Sequence, residues 1–430
     1  MSVSAVNFVR RPLKQITSPI SGTVDITRVR RIVDSRRFQK LRHRKQLGNA
    51  QVAYPDAGHP RFGHCIGAGK WAERITRRWL EWGLISPQDA IDGETFGFLH
   101  DIGHGPMSHI TDPLVDDDHE GRGVTYLREL APEIADSGAD PERMVRMMLR
   151  QDPLAGVVLH TPLGADKLDY LARDGHHSGL FGMPNEALFM DYVYYLDHQV
   201  VADIKIYESV QLLMQLYRTM YSSLYFRTVV LLSERYIQRM ISILLGHTGC
   251  DPVFSSEELV EMVDVELEYQ LRRNPIVQGH YERHLARQQP MPAIIYQLDP
   301  FHKHNWSGDH PVLHTPIEES VLTDKRLRDP RVLLRIEREI EALMGLSEFS
   351  VLAVAPVLPR RFEPQNILFL TGDGAVPLKE ISPAWWNAQV EEARRNAILH
   401  IGVDREHCAL LAQAEVARDV RQIVASVLAV

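Results

Sequence analysis

Histidine is concentrated in one stretch of this chain, and that stretch dictates most of what the chain can fold into. There are 20 histidines, and the informative ones fall between His59 and His177. His64 stands in a segment with helical periodicity (Ile66, Ala68, Trp71, Ile75, Trp79) over 64–82. The adjacent pair His100 and Asp101 ends a second predicted helix, which starts at Pro87 and is broken by Gly103, Gly105 and Pro106. Asp166 opens a third. Two imidazoles and two carboxylates are a donor set that suits a divalent metal. Such sites are commonly built from facing helices of a bundle. The helix break after His100 leaves both members of the pair free to turn toward one ion.

The rest of the chain fits a helical core. Turn residues at 16–25 suggest a short hairpin, and 25–47 reads as one or two short helices. Residues 48–62 read as a loop. Further helices are predicted at 119–131, 141–150, 166–174 and 185–195, and one long helical stretch at 206–245. Tyr217, Tyr221 and Tyr225 form a stripe on it, which favours core packing. After 246 the composition shifts. Residues 275–316, rich in Pro and His, look loop-like. Strand-like runs follow at 349–358 and 366–372, with helices at about 329–345 and 410–428. The expected division is a helical core over 1–245 and a smaller α+β region over 246–430, packed on the core and used in oligomerisation.

Composition narrows the classes. The net charge is -8, which gives no support to bulk nucleic-acid binding. Cys65, Cys250 and Cys408 are scattered and odd in number, so neither a disulfide framework nor a thiolate zinc site is expected. No signal peptide and no long apolar run is visible. These features predict a cytoplasmic chain with no membrane segment.

An HD dipeptide arises by chance in most chains of this length, and a lone histidine is more often a hydrogen-bonded surface or core residue. The context carries the weight here. The blocks FQKLRHRKQLG (38–48), PRFGHCIGAGKWA (60–72), FLHDIGHGPMSHITD (98–112), HE (119–120) and ADKLDYLARDGHHSG (165–179) occur in order within the first 230 or so residues. Together they resemble the HD-domain deoxynucleoside triphosphate triphosphohydrolases, a family that includes bacterial enzymes and the metazoan sterile-alpha-motif-linked enzyme. Beyond about residue 250 the likeness is vague.

The resemblance implies a mainly α-helical HD-domain core and metal-dependent hydrolysis of a dNTP to deoxynucleoside and tripolyphosphate. It implies metal ligands at His64, His100, Asp101 and Asp166. It places the catalytic group at His104, His109, Asp112, His119 and Glu120. It assigns Arg61 and Lys167 to phosphate, Gln46 and Asp174 to the sugar 3′-hydroxyl, Leu47 and Tyr225 to the deoxyribose, and Tyr170 to the nucleotide site. Family members are commonly dimers or tetramers, so a homo-oligomer is implied. Chemistry independently favours these roles. Cations stabilise charge on equatorial phosphoryl oxygens, and a histidine paired with a carboxylate, His109 with Asp112, could handle the attacking water's proton. The metal could be Fe, Mn, Zn, Ni, Co or Mg, and a second could bind through His104 or His119.

The chain departs from the family at one point. There, a helix carries an Arg and a His that grip the β- and γ-phosphates, one and two turns before the sugar-stacking tyrosine. Here those positions are Tyr217 and Tyr221. Arg218 is one residue out of register, about 100° round a helix, and Arg227 lies past Tyr225. Other residues grip the polyphosphate, or the substrate has fewer phosphates, or the register is off by one. Tyr221 would then stack on a base or donate to a phosphate. The alternatives are an HD phosphatase or phosphodiesterase for nucleoside monophosphates or another phosphorylated small molecule, and a non-catalytic nucleotide-binding regulator. The pairs Arg10–Arg11 and Arg360–Arg361, like other arginine pairs, read as solvated surface.

Overall fold

The computed structural model describes residues 13–159, 162–180, 186–300, 304–307, 310–355 and 366–429. Arg10, Arg11, Arg360 and Arg361 lie outside them. The centre of the molecule is α1 (Arg61–Glu81), which begins on Pro60. It packs along α2 (Pro87–Leu99), whose first turn is closed by a capping box between Ser86 and Asp89 with Pro87 at its first position. Short helices α3 (His119–Glu129) and α4 (Pro141–Met148) follow, each opened by an aspartate cap, Asp118 and Asp140. Next, α5 (Ala165–Ser178) lies against α1 and ends on Gly179 in the left-handed conformation. Strands β1 (Gln15–Ser18) and β2 (Gly22–Asp25) form the expected antiparallel hairpin beside α1.

Two predicted elements come out differently. The helix expected over 185–195 stops at Asp191, and β3 (Val193–Leu196) pairs with β4 (Gln199–Asp203) as a hairpin. Its two-residue turn, Asp197–His198, has both residues at positive φ, the geometry that matches strand twist. The expected long helix is interrupted. α6 (Tyr207–Met220) runs into a π-turn, Tyr221–Tyr225, and α7 (Thr228–Leu244) restarts after Arg227, which is extended. Single π-turns widen a helix locally and tend to occur at functional sites. Tyr217, Tyr221 and Tyr225 are half-buried, so they pack against the core and also wall a site.

Beyond 246, α8 (Asp264–Arg273) precedes a five-stranded sheet. It contains β5 (Met291–Gln297), β6 (His304–Ser307), β7 (His310–Pro316) and β8 (Val351–Val354), so much of the segment read as loop is strand. α9 (Pro330–Met344) covers this sheet. β9 (Leu368–Thr371) and β10 (Gly374–Pro377) instead join β4 and β3 of the core in a four-stranded sheet. After α10 (Pro383–Arg395), β11 (Ile398–Val403) completes the five strands in the order β6-β7-β5-β11-β8, and α11 (Ala414–Ala429) ends the chain. Pro292, in the central strand β5, faces Gly402 where the register shifts, a bulge that tolerates the missing N–H.

Buried charge links α7 to α9. Arg235 of α7 binds Glu337 of α9 bidentately, at 2.7 Å and 3.0 Å, with Glu337 wholly buried. Arg239 adds Glu341 at 3.1 Å, and Glu337 also accepts the Ala353 amide at 2.9 Å. Removing one partner of a buried pair strands the other. Glu337→Leu is therefore expected to lower unfolding free energy by about 3–5 kcal/mol, and an Arg235→Met, Glu337→Leu double variant to recover much of it. Chemical denaturation measures both. A loss within experimental error for the single variant would show that this pair does not tie the two helices together.

Candidate active site

His64 sits on α1 with its ring completely buried. Its Nδ1 lies 2.9 Å from Asp169 Oδ2, so the ring is held with Nε2 facing inward. His100, at the C-terminal end of α2, is turned in the same way: its Nδ1 donates to the Gly97 carbonyl at 2.9 Å. The two Nε2 atoms are 3.2 Å apart. Asp166 Oδ1 is 3.2 Å from the first and 3.5 Å from the second. Asp101 contributes Oδ2 at 3.4 Å from His64 Nε2 and Oδ1 at 3.7 Å from His100 Nε2. Ligands about 2.1 Å from one ion have neighbours at such separations. His64, His100 and Asp101 thus bring their ligand atoms within 4.8 Å of one another, Asp166 of α5 adds a carboxylate oxygen beside both imidazoles, and this chemistry fits a divalent cation.

The electrostatics agree. Burial opposes charge on His64, yet its hydrogen bonds to the carboxylates of Asp101, Asp166 and Asp169 push its pKa well above the ordinary range. Burial likewise opposes charge on Asp101, but His100, Arg61 and His104 keep it ionised. Asp166 is also held low, by His100 and His64 against its burial. A cluster that draws a proton onto a buried imidazole is one where a metal ion can replace that proton.

A second cluster adjoins the first. His104, His109, Asp112 and His119 bring their ligand atoms within 4.8 Å of one another. His119 Nδ1 is 2.8 Å from Asp112 Oδ2, closer than His109 Nδ1 at 3.5 Å. His109 is largely exposed, at 72% of its side chain. The tight histidine–carboxylate contact is therefore His119–Asp112, not the His109–Asp112 pairing favoured by spacing. His104 stacks on His119 at 4.0 Å and lies 3.5 Å from Asp101 Oδ1. Burial, with the charges of Arg61 and His119, pushes His104 well down. His119 moves up: burial lowers it, but the Asp112 hydrogen bond and charge prevail. Two adjacent imidazoles are thus pushed in opposite directions, the pattern of an acid and a base. Glu120 faces Arg150 instead, at 2.9 Å.

The turn that carries these groups is held under strain. Met107 and Ser108 have φ of 53° and 52°. Asp264 of α8 accepts the Met107 amide at 2.7 Å, and Ser108 Oγ donates to the Lys45 carbonyl at 2.6 Å. Gly103 allows α3 to approach: a Cβ there would lie 2.0 Å from the His119 carbonyl oxygen.

The remaining assigned residues surround this pair of clusters. Arg61 is buried and binds Asp101, Ser108 and the Gln46 carbonyl. Lys167 is buried with Nζ 4.6 Å from the Tyr217 ring centre, and burial brings it down to about 8 despite the Asp166 charge. Tyr225 donates to Asp174 Oδ2 at 2.6 Å. Tyr170 is 6.4 Å from the His64 ring; Tyr217 meets Tyr221 at 4.7 Å with the rings tilted, and Tyr221 meets Tyr225 edge-to-face at 4.9 Å. Gln46 is buried and Leu47 is packed against the core. Arg218, the register alternative, turns to Glu392 of α10.

Five further residues bear on the site. Asp169 orients His64 and is held by Arg173 at 2.8 Å. Its place three residues after Asp166 puts it on the same helix face, a clue the sequence held. Arg122 binds Asp112 and the Gly103 carbonyl, and Arg44 binds the His104 carbonyl. His59 reaches Asp174. These buried contacts have no motif.

No protein-family model matches this chain. An uncharacterised protein of Methanocaldococcus jannaschii is 25% identical over 374 residues, covering 84% of this chain and 73% of that protein. The deoxynucleoside triphosphate triphosphohydrolase SAMHD1 of Homo sapiens is 30% identical over 211 residues, 39% of this chain. This chain spans only about a third, 34%, of that protein's length. A putative HD domain-containing protein of Acanthamoeba polyphaga mimivirus is 31% identical over 209 residues, 40% of this chain and 46% of that protein. Among solved structures, a hypothetical protein from Aquifex aeolicus superimposes with a TM-score of 0.70 at 21% identity, covering 96% of this chain and 100% of that one. A phosphohydrolase from Bacteroides thetaiotaomicron gives 0.68 at 19%, covering 91% and 100%. These two establish likeness of fold.

Orienting partners of metal-ligating histidines typically alter metal affinity by about 10–100-fold. Asp169→Asn is expected to weaken binding of Mn²⁺ by that order while the fold survives. Calorimetric titration of the metal measures it; wild-type affinity would remove Asp169 from the site.

Proposed function

We propose that this chain is an HD-type phosphohydrolase like the deoxynucleoside triphosphate triphosphohydrolases it resembles, and that it hydrolyses deoxynucleotides with a divalent metal, in the cytoplasm and as a homo-oligomer. The observation that carries this reading is the convergence of His64, His100, Asp101 and Asp166 beside an acid–base pair of imidazoles. When bound there, the metal polarises a phosphoryl oxygen. The chain's own residues do the rest. Neutral His104 accepts a proton from the attacking water. Charged His119, kept protonated by Asp112, returns a proton to the leaving oxygen of the sugar. Arg61 holds Asp101 in place, and Lys167 stands over Tyr217 at the approach to the cluster. Asp174, with Tyr225, supports the assignment of a sugar contact.

The substrate most consistent with the relatives is a dNTP, released as deoxynucleoside and tripolyphosphate. A second reading, monophosphate hydrolysis, is favoured by a specific observation. Arg218 is engaged by Glu392, and the wall beside Lys167 is made of neutral tyrosines. A triphosphate would meet little positive charge there among the described residues.

Product analysis decides between them. With Mn²⁺ or Mg²⁺ and each dNTP, dNMP and NTP, tripolyphosphate is the expected product of the first reading, and orthophosphate from monophosphates alone that of the second. If every phosphate ester stays intact although metal binds, a non-catalytic nucleotide-binding role replaces both. Asp101→Ala is expected to abolish metal retention and turnover together. His119→Gln is expected to keep the metal and lower kcat by about 10²–10⁴-fold. Since His119 must be protonated and its pKa is raised, wild-type kcat should persist above pH 6.5 and fall only as pH rises through the shifted value. In His119→Gln that alkaline fall should be missing. An unchanged pH profile in the variant would assign the acid elsewhere.

A further inference from the structure

His59 ends the loop before α1 and is buried, 7% exposed. It makes two hydrogen bonds, and both go to residues assigned to the sugar. Its Nε2 lies 3.0 Å from Asp174 Oδ1, while Tyr225 donates to the other oxygen. Its carbonyl accepts the amide of Gln46 at 3.0 Å. The pairing continues one step on, where the Arg61 amide donates to the Arg44 carbonyl at 2.8 Å. The segments 44–46 and 59–61 are thus laced together, and the His59 ring extends from that lacing to α5. His177, on the same helix as Asp174, stacks on the ring at 4.2 Å with only 14° between planes, which fixes its tilt.

Asp174 is itself 1% exposed. Each of its oxygens already holds one donor, and each keeps a lone pair for another. Gln46 Oε1 is buried with no partner among the described residues. Asp174 thus keeps acceptor capacity for a hydroxyl donor, and Gln46 Oε1 is a second buried acceptor that a donor could match. A free carboxylate would sample other rotamers, and His59 and Tyr225 remove that freedom from opposite sides.

We propose that His59 is a positioning residue for recognition of the sugar 3′-hydroxyl: one residue sets Gln46 through its backbone and Asp174 through its ring. The proposal rests on the assignment of Gln46 and Asp174 to the sugar. It explains why a histidine outside both clusters is buried at a helix entry with its ring clamped on two sides. His59 touches neither the metal-ligand set nor the reacting phosphorus in this account, so its effect is confined to sugar binding.

The test pairs a variant with a substrate lacking the hydroxyl. His59→Phe keeps a ring to stack on His177 and loses the donor; His59→Ala serves the same comparison if phenylalanine does not fit. His59→Gln retains an N–H that can reach Asp174. Turnover of each 2′-deoxynucleotide is compared with that of its 2′,3′-dideoxy counterpart, with metal content checked throughout. For the deoxynucleotide, KM is expected to rise about tenfold or more in His59→Phe, with kcat changed less. For the dideoxynucleotide KM should not move, and His59→Gln should restore most of the loss. Equal penalties on both substrates would mean that His59 is structural only and would overturn the proposal while the sugar reading stands. No penalty on either would overturn it equally. If wild-type protein itself treats the two substrates alike, the assignment of Asp174 and Gln46 fails, and the role of His59 falls with it.

Discussion

Charge buried around His64 is the constraint on which the rest of the molecule depends. Asp101, Asp166 and Asp169 all point at one imidazole with no solvent exposure, and Arg61 and Arg173 are drawn in to meet them. Removing an ion from water costs several kcal/mol even after relaxation. Three carboxylates against two guanidiniums leave the cluster short of positive charge, which a proton on His64 or a cation must supply. The helices follow from this. α1, α2 and α5 have to meet closely enough for these groups to touch, and α1 carries Gly67 at the contact, where a Cβ would fall 1.8 Å from Asp169 Oδ1.

The second cluster is held by residues distant in sequence. His104 and His109 ride on a turn with two consecutive left-handed residues, a conformation costing of order 1–3 kcal/mol per residue. What holds it comes from beyond residue 246. Asp264 accepts the Met107 amide, and Arg44, which binds the His104 carbonyl, is itself fixed by the carbonyls of Val260 and Met262. The same part of the chain supplies β9 to the sheet that contains β4. The segments after the helical core therefore take part in the active-site scaffold.

This explains which features were legible in the sequence. Helices α1, α2 and α5 could be read because periodicity and caps are local, and the structure brings the His and Asp residues they position together. The hairpin at 193–203 was not, because Asp197–His198 is an unusual turn pair and β9, which completes its sheet, lies far downstream. Strand β5 was hidden by Pro292, whose missing N–H is excused by a bulge visible only in the pairing. His109 and His119 both reach Asp112 Oδ2, and His119, on the helix that docks at Gly103, comes nearer. Each miss involves a partner that one-dimensional spacing cannot supply.

The tyrosine wall extends the same logic to the substrate. Sequence left Arg218 ambiguous, since one step of register or a widened turn could have brought it to the site. The widened turn does exist, at Tyr221–Tyr225, but it comes after Arg218 and leaves that residue on the face toward α10. There Glu392 binds it, and Trp386 of the same helix is buried in the core. A charge engaged on the outer face of α6 is poorly placed to screen phosphates on the inner one, where Tyr217 and Tyr221 present neutral hydroxyls beside Lys167. Positive charge at the site is therefore graded, dense around the metal-ligand cluster and sparse along α6. A substrate of the proposed kind would follow that gradient, with its phosphoryl group at the His–Asp cluster and its least charged part against the tyrosines.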